Sequence, residues 1–170
     1  MIELVKSSVV FSEENHTYFL GEKQLKGITG MISRQLFPNK YKDIPEYILK
    51  RAAEKGSRIH GQCQFADVTG LPPESIEAIN YIRERLNAGY KAFANEYTVS
   101  DNEYFASNID CVWEKDEKIS LVDIKTTASL DREYLSWQLS IYAYLFELQN
   151  PLIKVDKLFG IWLRGDKSEL

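Results

Sequence analysis

The chain has 170 residues, the length of one domain that buries roughly 70% of the surface its unfolded chain exposes, with no need of disulfides. Apolar residues make up 44% and charged residues 27%, which excludes wholesale disorder, collagen-like repetition and a coiled coil. With 21 basic against 25 acidic side chains the net charge is −4, which excludes a polycation that coats nucleic acid by bulk charge. Residues 1–60 nevertheless carry ten basic and seven acidic side chains, and residues 101–170 eight and thirteen. Contact with a phosphate backbone would therefore be local. A reducing, cytoplasmic setting is expected: Cys63 and Cys111 form no CxxC pair, the start resembles no signal peptide, and no apolar run reaches membrane-spanning length.

In chain order, Ser8 to Lys23 reads as a β-hairpin turning at Glu13–His16. A basic loop follows up to residue 44. Pro45 opens a helix whose inner face carries Ile48, Ala52, Ile59 and Cys63, interrupted by Gly56, where another backbone or a ligand is expected to approach closely. Glu74 to Ala88 reads as a second helix with Ile76, Ile79, Ile82 and Leu86 inside, stopped by Gly89. The period then changes to two: Phe93–Val99, Tyr104–Glu114 and Ile119–Lys125 form an antiparallel meander with short polar turns. Leu130–Leu148 is a long apolar helix that crosses over to a fourth strand, Val155–Leu163. The expected architecture is one mixed α/β domain with a central four-stranded sheet flanked by helices, an N-terminal hairpin at 1–44, a core at 45–163 and a tail at 164–170.

The chemistry concentrates in two strands. Asp123 and Lys125 stand two apart, so both leave the same face while Val122 and Ile124 point to the other. A hairpin brings Asp110 beside Asp123, and two adjoining carboxylates repel unless a cation lies between them; hard oxygen ligands suit Mg²⁺ or Mn²⁺. Such an ion beside an ammonium has the parts for phosphodiester hydrolysis. His60, four residues after Gly56 on one helix face, is placed to complete the ligand set, and Gln138 and Tyr142 form a polar stripe on the long helix. The bland alternatives are a surface Asp–Lys pair, a packed helix histidine and a buried tyrosine with a satisfied hydroxyl. Of the basic run Arg34–Arg58, the residues Arg51, Lys55 and Arg58 lead towards His60 as a phosphate-facing stripe, against the alternative of a solvated helix face.

The ordered set of Gly-X3-His ending at His60, a strand aspartate at Asp110, Asp-Ile-Lys at 123–125 and Gln-X3-Tyr at Gln138 and Tyr142 resembles the RecB-like branch of the PD-(D/E)XK nuclease superfamily. The resemblance spans about Gly56 to Leu163 and implies a restriction-endonuclease-like core. It implies that His60, Asp110, Asp123 and the Ile124 carbonyl bind Mg²⁺ or Mn²⁺, that Lys125 is the catalytic lysine, and that Gln138 and Tyr142 support the site and contact DNA. Glu96 matches a less uniform acidic position that holds a second ion or water. Ile109-Asp110 stands where the superfamily has Pro-Asp, and two cysteines exclude the four-cysteine iron–sulfur cluster of some members. The implied function is a metal-dependent deoxyribonuclease, an exonuclease in phage-type recombination or DNA processing in a bacterial or phage-infected cell. Its partner would be DNA and not a membrane, with room for a homo-oligomer, a recombination or helicase partner protein, and a further carboxy-terminal element. The alternative is a noncatalytic DNA-binding or assembly module that retains the fold.

Overall fold

A computed structural model describes residues 2–170. Its elements are β1 (Val10–Ser12), β2 (Thr17–Leu20), β3 (Lys23–Gly27), α1 (Ile28–Leu36), α2 (Glu46–Thr69), α3 (Ile76–Asn87), β4 (Lys91–Ser100), β5 (Phe105–Lys115), β6 (Lys118–Lys125), α4 (Arg132–Gln149), β7 (Val155–Arg164) and β8 (Lys167–Glu169). The mixed α/β class and the order of the core elements match the sequence reading. The sheet is larger than expected: it has eight strands, not four.

The additional strands come from the segments read as appendages. The hairpin β1–β2 continues into β3, which pairs parallel with β5 at Lys26↔Phe105 and Gly27↔Ala106, so the N-terminal unit joins the main sheet. The tail supplies β8, turned back on β7 through Gly165-Asp166 with Gly165 at φ 59°. That is the two-residue hairpin turn whose first position favours glycine. The supposed basic loop contains α1, whose Ile28 and Ile32 are buried. The meander forms as expected. The β5–β6 turn at Asp116-Glu117 has φ 53° and 58°, the pair of positive values that a primed hairpin turn requires.

Helices cover both faces. On one side α1 and α4 pack on Val112, Ile119 and Leu121; on the other α2 and α3 pack on Cys111, Trp113, Val122 and Ile124. Central strand β6 is accordingly buried along nearly its whole length, as a strand covered on both faces must be. The crossover through α4 places β7 parallel to β6. Among the described residues, no helix is long and apolar enough to cross a membrane.

Two helix faces differ from the periodicity reading. In α2 only Ile59, Cys63 and Ala66 are buried, while Ile48 and Ala52 are exposed, because the helix reaches the sheet only in its second half. In α3 the exposed residues include Ile76, Ile79 and Leu86, and the inward face is partly polar. Polar anchors decide this orientation. The Tyr81 hydroxyl donates to Asp67 at 2.6 Å, Asn80 donates to the Gly165 carbonyl at 3.2 Å, and Glu77 accepts from the Gly165 N–H at 3.2 Å.

Gly160 on β7 fixes how closely α4 approaches the sheet. A Cβ built there would lie 2.1 Å from Cδ2 of Leu135, so a side chain must displace the helix or force Leu135 off its rotamer. Gly160→Ala is expected to cost about 1–3 kcal/mol by overpacking. Urea unfolding measures it, and an unchanged midpoint would contradict the close contact.

Candidate metal and phosphodiester site

The site begins with an interruption of the sheet. Antiparallel pairing of β5 with β6 runs from Lys115↔Lys118 to Cys111↔Val122 and ends there. Beyond it, a side chain substitutes for the missing strand neighbour: Oδ2 of Asp110 accepts the Ile124 N–H at 2.6 Å. The Ile124 carbonyl is met from the other side of the sheet by Nε2 of His60 at 3.1 Å, as donor. Both polar groups of one peptide residue are thus held by two of the motif side chains.

His60 reaches this point because α2 passes beside the loop after β6. A Cβ on Gly56 would lie 3.2 Å from Oγ1 of Thr126, so the close approach expected at this glycine is that of a side chain. His60 Nδ1 lies 3.5 Å from Asp110 Oδ1. Glu96 stands on β4 between Asn95↔Cys111 and Tyr97↔Ile109, opposite Asp110. Its φ is 47°, a left-handed conformation that side-chain-bearing residues adopt at a cost and that concentrates at functional sites. The result is a cluster in which one ligand atom each from His60, Glu96 and Asp110 lies within 4.8 Å of the others. One imidazole nitrogen with two carboxylates, beside a backbone carbonyl, fits Mn²⁺ or Mg²⁺.

Asp123 and Lys125 do leave the same face, towards α4. Lys125 Nζ lies 2.7 Å from Asp123 Oδ2 and donates to Gln138 Oε1 at 2.9 Å. Gln138 Nε2 donates to Asp123 Oδ1 at 2.5 Å and to the Tyr142 hydroxyl at 2.6 Å. The i, i+4 stripe of α4 therefore orients the Asp–Lys pair, and Gln138 and Tyr142 are both buried. In this arrangement Asp123 is engaged with Lys125 and Gln138, and Glu96 takes the third place in the close cluster. Tyr18 was not part of the motif, yet its hydroxyl accepts the Asn108 N–H at 3.2 Å, two residues before Asp110.

The three basic residues of α2 do not converge on this centre. At 100° per residue, Arg58 and Arg51 lie roughly 200° and 180° around the helix from His60, and both are exposed. Lys55 pairs with Glu77 on α3 at 3.2 Å.

Electrostatics follow from burying several charges together. Burial pushes Asp123 up to about 6 although Lys125 opposes it. Lys125 stays charged: burial disfavours the ammonium, but Asp123 and Asp110 outweigh it and raise its pKa. Asp110 is lowered because His60, Lys125 and the Ile124 N–H together outweigh its burial. Glu96 is pushed up to about 7 by burial and by Asp110. His60 rises to about 9, since attraction to Asp110 exceeds the burial that would keep it neutral. No family model and no curated protein sequence matches the chain.

A divalent ion among His60, Glu96 and Asp110 competes with protons for the same atoms. Below pH 7 the first two are protonated, so affinity is expected to rise by at least about tenfold between pH 6 and 9, with about one proton released per ion bound at pH 7.5. Calorimetric titration with Mn²⁺ in two buffers of different ionisation enthalpy reads both. A pH-independent affinity would contradict this ligand set.

Proposed function

We propose that the protein is a metal-dependent deoxyribonuclease that hydrolyses DNA phosphodiester bonds, of the RecB-like PD-(D/E)XK type, working as an exonuclease in recombination or DNA processing. The observation that carries this reading is the meeting, at one sheet interruption, of the His60, Glu96 and Asp110 cluster with the Asp123, Lys125 and Gln138 triad. His60, Glu96 and Asp110 would hold Mg²⁺ or Mn²⁺, with the Ile124 carbonyl and Asp123 adjoining. Once bound, the ion supplies a water of lowered pKa and neutralises phosphate charge.

The protein's own contribution is positional and electrostatic. Lys125 remains an ammonium because Asp123 and Asp110 hold it so, and its donors orient the attacking water or offset charge on the phosphate as it becomes pentacoordinate. Gln138 fixes Lys125 and Asp123 at once, which removes the need to reorganise them during reaction. Water adds to phosphorus and gives up a proton to solvent, the P–O bond to the ester oxygen breaks, and that oxygen leaves as a hydroxyl by taking a proton from water. DNA is the proposed partner, held locally since the net charge is −4.

Degradation of linear DNA with Mn²⁺ or Mg²⁺ tests this reading. Lys125→Ala and Asp123→Ala, each checked for folding by thermal melting, are expected to lose about 10²–10³-fold in rate. Equal rates in the wild type and both variants would refute it, and wild-type binding of DNA without cleavage would favour the noncatalytic module.

A further inference from the structure

We propose that Tyr18, carried by the N-terminal hairpin, is a positioning residue for the Glu96 side of the metal site. This rests on the metal-site reading above and adds the hairpin to the site. The same edge of β5 is served by β3 as far as Ala106 and by β6 from Cys111 onward, so residues 107–110 lie between two strand neighbours. In that interval the Tyr18 hydroxyl accepts the Asn108 N–H at 3.2 Å, filling a vacated ladder position as Asp110 does for Ile124.

Asn108 transmits the constraint. Its Oδ1 accepts from the Thr98 hydroxyl at 2.7 Å, which fixes the orientation of the amide beside Glu96, whose carboxyl pKa that amide lowers. Glu96 itself has φ 47° within a strand, a conformation that persists only where the surroundings over-determine it. The chain Tyr18, Asn108 and Glu96 provides that determination.

The tyrosine ring is well held independently of its hydroxyl. Tyr18 is 3% exposed and stacks on Phe11 with ring centroids 4.9 Å apart. Tyr18→Phe therefore isolates the hydroxyl. It is expected to weaken Mn²⁺ binding by about tenfold, the usual effect of losing a group that orients a metal ligand, and to lower Tm by only about 2–4 °C. It should also speed hydrogen exchange of the Asn108 amide. Phe11→Leu supplies the comparison: it loosens hairpin packing and lowers Tm while leaving Mn²⁺ affinity within twofold of wild type. Should Tyr18→Phe fail to fold, Thr98→Val, which frees the Asn108 amide, is expected to weaken Mn²⁺ binding in the same way. Calorimetry with Mn²⁺ decides the matter. Wild-type affinity in Tyr18→Phe, or in Thr98→Val if that variant must be used, overturns the positioning role. Equal weakening in Phe11→Leu overturns it too, whereas absence of Mn²⁺ binding in the wild type overturns the metal site itself.

Discussion

Beyond the Cys111–Val122 pair, β5 and β6 cease to hydrogen-bond to each other, and the remainder of the site follows from how the exposed peptide groups are satisfied. A buried backbone N–H or C=O left without a partner costs on the order of 1–3 kcal/mol. Here Asp110 takes the Ile124 N–H, His60 takes the Ile124 carbonyl and Tyr18 takes the Asn108 N–H. A sheet that stayed zipped would satisfy these groups through its ladder and leave no reason for polar side chains in its centre. The opening thus requires polar residues, and three of them, His60, Glu96 and Asp110, stand close enough together to offer ligand atoms to one cation.

Electrostatic tension is concentrated at the same place. Asp123 is 1% exposed, so its charge depends on named neighbours for its solvation. Lys125 answers Asp123, and His60 answers Asp110, while at Glu96 burial and a nearby like charge outweigh His60 and Asn108 and raise its pKa to about 7. The cluster is in this sense short of positive charge. A divalent cation would supply it, and proton uptake by Glu96 and His60 supplies it in the cation's place. Hydrogen bonds from Tyr81 and Asn95 to Asp67 tie α2, α3 and β4 together, so the helix carrying His60 is fixed by side-chain hydrogen bonds as well as by apolar packing.

Much of this was legible in the sequence because it follows local periods. Alternation identified β4, β5, β6 and β7, and the Asp-Ile-Lys spacing placed both charges on one face. The i, i+4 spacing put Gln138 and Tyr142 on one stripe of the helix, and the structure turns that stripe towards those charges. Other features depend on contacts remote in sequence. The exposure of Ile79 and Leu86 follows from polar anchors at Asp67 and Gly165, which apolar counting ignores. Helix α1 begins at Gly27 without a side-chain cap, so no start signal marks it, and its stability comes from packing on α4. The Gly165-Asp166 pair was a readable turn signal for β8. The place of Glu96 beside Asp110 depends on a left-handed backbone within a strand, and the Asn108 to Tyr18 contact spans ninety residues; neither has a local sequence signature.

The central claim is that side chains filling the gap between β5 and β6 form a cation site. A crystal structure of the protein with Mn²⁺, with anomalous scattering collected at the manganese edge, tests it most directly. The account predicts an anomalous peak within about 2.0–2.6 Å of oxygen or nitrogen ligands from Glu96, Asp110 and either His60 or the Ile124 carbonyl. Saturating Mn²⁺ with no peak at this position, or a peak held by other residues, would contradict it.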